Sequence, residues 1–319
     1  MDENKPINEA SPIGPQVIEQ FTGQKTACEL IKIALEASWA SNSIFPSTLF
    51  YGPPGVGKSA LSALIAKEIA GNFHETLAQN ITSIEQMRGL LMEPSDGDVL
   101  FLDEIHQIKP DLQVTLYRAM ENRQIFMDKG KSQSRSMTIA NYTIIGATTD
   151  EYRLLKPLRD RFKLILPLSF YSDEDLSAVI KQRAKQLGWA VEDDAVIDQI
   201  AKRGRGTPRI ALKILESAKR YACSQGEKLI TIDHLNGICT LEGLDNQFGL
   251  GPNERKLLKI LSEIQEPLRL NVIAAHMGLP SRTISENIED FLIRKGLITR
   301  TDKGRMITPQ GLEYLKQNP

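Results

Sequence analysis

The stretch Gly52-Pro53-Pro54-Gly55-Val56-Gly57-Lys58-Ser59 sets glycines, an ammonium and a hydroxyl at the spacing of a phosphate-binding loop. Glycines let the backbone curl so that successive N–H groups face an anion, and the following helix adds the positive end of its dipole. Lys58 would then reach the β- and γ-phosphates of a nucleoside triphosphate, and the Ser59 hydroxyl would ligate Mg²⁺. Downstream, the apolar run Val99-Leu100-Phe101-Leu102 ends in Asp103-Glu104, as a buried strand carrying a metal and water site should. Asp103 would hold the magnesium through its water shell, and Glu104 would orient or deprotonate the attacking water. Alone, the octapeptide could be an ordinary glycine turn. The two motifs in this order imply binding and hydrolysis of a nucleoside triphosphate, with Gly52, Gly55, Gly57, Lys58, Ser59 and Ala60 as the candidate nucleotide contacts.

The elements that must position these groups can be read around them. Ser47–Tyr51 reads as a strand and Ala60–Ile69 as the helix after the loop. From residue 19 to about 168 short apolar runs alternate with helical patterns, which predicts an α/β fold, a parallel sheet flanked by helices. Thr143–Thr149 reads as a central strand ending in hydroxyls. Residues 1–18 read as an N-terminal arm. From Ser172 the pattern becomes helical, with helices expected over 193–203, 208–224 and 231–241, a small domain spanning 169–243. Residues 244–251, rich in glycine, read as a linker. In 252–319, helices near 253–264, 272–277 and 281–295 precede two short strands around Asp302-Lys303-Gly304, the order of a winged helix. Arg282 before the candidate recognition helix, and Arg300 and Arg305 on the candidate wing, are the DNA-contact candidates. The alternative is a solvated surface, since Glu286, Glu289 and Asp290 dilute the patch.

Bulk properties narrow the class. With 319 residues, two or three domains are expected. Hydrophobic content of 41% and charged content of 25% are ordinary for a globular protein. A net charge of −1 argues against a generically basic nucleic-acid coat, so any DNA contact must be a local patch. Cys28, Cys223 and Cys239 suit reduced thiols of a cytoplasmic protein, and no spacing suggests zinc. No apolar run approaches the ~18 residues of a membrane helix, and Met1–Pro6 lacks a signal peptide's apolar core.

Further motifs carry a resemblance. They are Phe21-Thr22-Gly23-Gln24, Asp98 to His106, Leu116-Tyr117-Arg118-Ala119-Met120-Glu121, Ile144 to Thr149, Pro157 to Phe162, Arg205 to Ala211 and Thr301 to Met306. In this order they resemble the RuvB family, bacterial AAA+ ATPases that drive Holliday-junction branch migration. The resemblance implies an AAA+ sheet domain, a helical lid and a C-terminal winged helix, assembled as a hexameric ring around duplex DNA at four-way junctions. It implies Thr148 as a sensor of the γ-phosphate and Arg161 as an arginine finger acting on the neighbouring subunit's ATP. Alone, Arg159 and Arg161 could be surface salt-bridge partners. Arg209 would be a second sensor acting within the chain, and Tyr171 would pack on adenine. The stretch 125–142, with Met137 and Ile139, is similar to the hairpin that docks a RuvA-type junction-binding partner. The competing reading is one more core strand.

Three positions depart from the family pattern: Gly14-Pro15 for an Arg-Pro, Asn122-Arg123 for an acid-aromatic pair, and Lys163 for a glycine. An ATP-switched loader or initiator shares the same parts and is the alternative to a motor. A regulator whose winged helix reads bases is a third reading, with Asn287 as a candidate.

Overall fold

In the computed structural model, residues 14–69, 71–129, 133–264 and 266–318 are described. They divide into two compact units, one ending at Val179 and the other beginning at Ile180.

The first unit is built on five parallel strands, β1 (Thr48–Tyr51), β2 (Phe73–Leu77), β3 (Val99–Asp103), β6 (Thr143–Thr148) and β7 (Leu164–Pro167), in the order β2-β3-β6-β1-β7. A second pair, β4 (Gln124–Lys129) and β5 (Gln133–Thr138), forms a separate antiparallel hairpin. Every residue of β6 is buried, as are Val99–Leu102 of β3, which is why these runs read as apolar without alternation. Their register sets Leu102 beside Gly146 and Tyr51 beside Thr148. The ends of β1, β3 and β6 therefore lie together along one rim, where parallel sheets bind ligands.

Helices α1 (Lys25–Ser41), α2 (Lys58–Glu68), α3 (Ile84–Met92), α4 (Pro110–Asn122) and α5 (Lys156–Arg159) complete the unit. A capping box of Ser83 and Gln86 starts α3, and Pro110 at the first turn starts α4. Leu100, Leu102 and Ile144 from the sheet share one core with Leu112, Leu116 and Phe162.

Helix α6 (Asp173–Gln186) opens the helical part with acids in its first turn. It is followed by α7 (Asp194–Arg203), α8 (Pro208–Ser224) and α9 (Ile232–Leu241). A short parallel pair, β8 (Ala190–Val191) with β9 (Leu229–Ile230), joins them and was not legible as strand. The C-terminal part holds α10 (Pro252–Ile264), α11 (Leu270–Met277), α12 (Ser281–Thr283), α13 (Glu289–Arg294), the antiparallel hairpin β10 (Ile298–Thr301) and β11 (Gly304–Ile307), and α14 (Pro309–Gln317).

Here the structure differs from the pattern in three ways. The helix expected over 281–295 is interrupted by a π turn at Ile284–Ile288. Leu268 pairs with Arg305, adding a short third strand segment. And α14, capped by Thr308, places Tyr314 in the winged-helix core. The segment expected to be a linker is wound tightly: Asp245 accepts from the N–H groups of Gln247, Phe248 and Leu250.

Candidate nucleotide site

The loop between β1 and α2 turns through Gly52 (φ 144°), Gly55 (φ 77°) and Gly57 (φ 106°). All three lie in the region that favours glycine. Space matters as much as torsion, because a Cβ on Gly52 would sit 2.1 Å from the Leu168 carbonyl oxygen. Lys58, 7% exposed, folds back and donates from Nζ to the carbonyls of Gly52 (2.8 Å) and Pro53 (2.9 Å). Its ammonium is thus stationed across the mouth of the loop, with Ser59 and Ala60 in the first turn of α2 behind it.

Glu104 follows β3 in a left-handed conformation, φ 50° and ψ 46°, which non-glycine residues adopt rarely. The turn gives the two carboxylates different surroundings. Asp103 Oδ1 accepts the Glu104 N–H at 3.0 Å. Glu104 Oε2 accepts the Thr149 hydroxyl at 3.1 Å and lies 3.2 Å from His106 Nδ1. His106 Nδ1 is also 3.0 Å from the Thr148 hydroxyl, which accepts the Asp150 N–H at 2.9 Å. With Gln107 Nε2 donating to His106 Nε2 at 2.9 Å, the neutral ring carries its proton on Nδ1, facing Glu104 and Thr148. Burial lowers the His106 pKa, outweighing Glu104, so the ring stays neutral at neutral pH. Glu104 is thereby aimed by two neutral donors from neighbouring strand ends.

The sensor expected at Thr148 is fully buried and reaches Glu104 only through His106; the exposed hydroxyl on Glu104 belongs to Thr149. Neither Thr149 nor His106 stands out by type or spacing. The readable signal was the doubled threonine at a strand end, where alternation sends one hydroxyl inward and the next outward.

Tyr171 is 8% exposed, and its ring lies so close to Gly23 that a Cβ there would come within 2.3 Å. The ring hydroxyl and the Phe21 ring both approach Gly57. Aromatic surface therefore does flank the loop, with Phe21 added to the expected Tyr171. Arg209 sits exposed in the first turn of α8, in the second unit.

Arg161 is half-exposed and pairs with Glu121 at 2.7 Å, while Arg159 pairs with Glu151 at 3.2 Å. Two of the departures noted above meet beside Arg161. A cavity of about 630 Å³ is lined by Glu121, Arg123, Arg161 and Lys163 together with the end of α1. Arg123 caps α4 at φ 52°, donates to the Tyr142 carbonyl at 3.0 Å and stacks on the Tyr142 ring.

Other candidates divide. Met137 is exposed, but Ile139 is 5% exposed within the sheet-domain core beside Ile125 and Tyr142, so it is a packing residue, as the core-strand reading expects. Phe126, also in that hairpin, is an exposed apolar side chain as well. Phe126 faces Ser136 and Met137 faces Ile125, so the two point to opposite faces. On the wing, Arg305 is not a free surface cation. It is bound by the fully buried Glu289 through 2.8 and 3.0 Å hydrogen bonds, and Arg300 joins the same carboxylate. Glu289 follows directly on the π turn at Ile284–Ile288. Arg282 is 77% exposed and pairs with Glu286.

For Mg²⁺, the donors on offer are hard oxygens, the Ser59 hydroxyl and the Asp103 carboxylate. No cluster of three or more His, Cys, Asp or Glu suited to a metal occurs among the described residues. That set fits Mg²⁺, which keeps its waters and takes one or two protein oxygens beside phosphates. Nor, among the described residues, is any helix long and apolar enough to cross a membrane.

Comparison with known proteins identifies the family. Residues 13–168 match the family described as the Holliday junction DNA helicase RuvB P-loop domain, 171–243 the RuvB AAA lid domain and 247–316 the RuvB C-terminal winged helix domain. A Holliday junction branch migration complex subunit RuvB of Fervidobacterium nodosum is 36% identical over 95% of this chain and 88% of its own length. The subunit of the same name from Rickettsia africae is 35% identical over 96% of this chain and 90% of its own. A Thermotoga maritima structure described as the RuvB Holliday junction branch migration motor superposes with a TM-score of 0.83 at 34% identity, covering 95% of this chain and 97% of that one. The chain belongs to the RuvB family.

Proposed function

We propose that this chain is an ATP-hydrolysing motor that drives branch migration of four-way DNA junctions in recombination and repair. It works in the cytoplasm as a ring of copies, hexameric by the family resemblance, with a RuvA-type junction-binding partner. The observation that carries the reading is Glu104, held by Thr149 and His106 at the rim where the phosphate loop opens.

Roles follow from chemistry. Lys58 exchanges loop carbonyls for the β- and γ-phosphates, a trade of neutral acceptors for anionic ones that strengthens each bond. Ser59 would ligate Mg²⁺ and Asp103 would hold it through its water shell; when bound, the ion would neutralise charge on the phosphates. Glu104 orients the attacking water and takes its proton; Thr149 and His106 fix where its oxygens point. Thr148 acts behind them, on His106. Phe21 and Tyr171 flank the nucleotide. Arg161 reaches into the next subunit's site, and Arg209 meets the nucleotide of its own chain. The winged helix grips duplex phosphates, which carry no sequence information and so suit a translocating motor. Arg282 and Arg300 contribute there, and Met137 serves the partner-docking hairpin.

The test is ATP-dependent strand release from a synthetic four-way junction, with and without the junction-binding protein of the same genome. Release is expected to require ATP and to vanish in Glu104→Gln, which still binds ATP. DNA-stimulated hydrolysis without release would instead identify an ATP-switched loader.

A further inference from the structure

The loop Arg203-Gly204-Arg205-Gly206-Thr207-Pro208-Arg209 carries an arginine at each end and one in the middle. The last is the exposed residue assigned to the nucleotide. The first two are spent elsewhere. Arg203, 2% exposed, donates to the Asn246 carbonyl at 3.0 and 3.2 Å and to Asn236 Oδ1 at 2.9 Å. It thereby ties α7 to the segment after α9. A Cβ on Gly249 would lie 3.0 Å from Arg203 Cβ, so that segment is seated directly on α7.

Arg205 reaches further. Its Nη1 donates to Glu254 Oε1 of α10 at 2.6 Å, its Nη2 donates to the Gly249 carbonyl, and its guanidinium lies 5.2 Å from the Phe291 ring centroid. Glu254 in turn accepts the Gly251 N–H at 3.1 Å through its other oxygen. Phe291 belongs to α13, and Arg294 of the same helix donates to the Arg205 carbonyl at 3.4 Å while stacking on Phe291 from 5.3 Å. Side chain and backbone of one lid residue are thus both held by the winged helix, on two of its helices.

The backbone adds a reason to regard this as more than packing. Arg205 and Gly206 both have positive φ, 55° and 75°, and lead directly into Pro208 at the first turn of α8. A left-handed arginine is strained and persists only where its surroundings hold it. The shape of the turn that presents Arg209 therefore depends on where the winged helix holds Arg205, and the dependence is reciprocal. A planar guanidinium with several fixed donors transmits displacement where a flexible ammonium would absorb it.

We infer that Arg205, locked to Glu254, Gly249 and Phe291, is the strut through which a nucleotide-driven movement of the lid turn reaches the DNA-binding winged helix. This rests on the reading of Arg209 as nucleotide contact and of the winged helix as DNA grip. Arg205 is a positioning residue that touches neither ligand. Its removal should uncouple the two sites while leaving each able to bind.

The experiment is duplex affinity by fluorescence anisotropy at fixed salt, in the presence of ADP or of a non-hydrolysable ATP analogue, with the full chain. A coupling of ordinary size makes the two affinities differ about 5–150-fold in the wild type. In Arg205→Ala the ratio is expected to fall to within about twofold of unity, with DNA affinity in ADP and nucleotide affinity retained. Glu254→Gln, which keeps volume and an acceptor, guards against a folding defect and should reduce the ratio partway. A ratio preserved in both variants overturns the strut, as does a parallel loss of DNA affinity in both nucleotide states. A wild-type ratio of one locates the failure in the parent reading, since there is then nothing to transmit.

Discussion

Two ion pairs in this molecule have nearly the same length and opposite meanings. Arg161 meets Glu121 at 2.7 Å with side chains 35% and 47% exposed. Arg305 meets Glu289 at 2.8 Å with side chains 14% and 1% exposed. An exposed pair contributes about 0–1 kcal/mol, so Arg161 can leave Glu121 for a better anion at little cost. Breaking a buried pair from one side costs about 3–5 kcal/mol, so Arg305 stays where Glu289 holds it. Residue type and distance do not separate an arginine that can move from one fixed in place; solvent does.

The comparison breaks most sharply at Arg161. If it is the finger, Arg161→Ala should lower ATP turnover by about 10³–10⁵-fold, with thermal stability almost unchanged. Mixed with wild type, the variant should depress turnover below the sum of the parts, because each ring site borrows its finger from a neighbour. Strictly additive activity across a mixing series would show that Arg161 acts only within its own chain.

The second pair should answer in stability rather than turnover. Glu289→Gln leaves Arg305 without its buried anion and should lower unfolding free energy by about 3–5 kcal/mol in a denaturant titration. Burial alone would raise the Glu289 pKa, but hydrogen bonds from Arg305 and Arg300 overcome it and hold the carboxyl below its ordinary 4.5. A depressed carboxylate stabilises the fold above the unfolded value and loses that contribution as pH falls through the folded one. Wild type should therefore lose stability below about pH 4.5 more steeply than Glu289→Gln. Identical acid limbs would mean that Glu289 carries none of the wing's stability.

The same contrast explains what was legible in the sequence. The phosphate loop could be read because its function demands particular residues at fixed spacing, and Gly52, Gly57 and Lys58 do converge on one turn. The α/β alternation was legible because buried parallel strands are continuous apolar runs. What escaped depends on facing and burial. Thr148 and Thr149 are identical in type, and only the strand's pleat decides which one meets Glu104. Ile139 looks like Met137 in composition, yet one lies in the core and the other in solvent. Residues 244–251 read as a linker because glycines suit one; the carboxylate of Asp245 and the arginines of α7 and its following turn, which fasten it, lie outside any local window. The π turn at Ile284–Ile288 leaves no sign in a pattern of apolar spacing, and neither does the burial of Glu289 just after it.

The finest division lies inside the wing itself. Arg300 and Arg305 share Glu289, but the Arg300 side chain is 56% exposed against 14% for Arg305. When Arg300 turns to a phosphate, the buried carboxylate keeps its two hydrogen bonds from Arg305. Each phosphate neutralised by a cation contributes close to one unit to the slope of log affinity against log salt. Arg300→Ala should therefore reduce that slope by about one and weaken duplex binding similarly for unrelated sequences, with melting temperature nearly unchanged. Arg305→Ala should do the reverse, lowering the melting temperature while leaving the slope of the folded protein in place. If the two variants changed the slope equally, the buried carboxylate would have to release both arginines to DNA, and burial would no longer distinguish strut from contact.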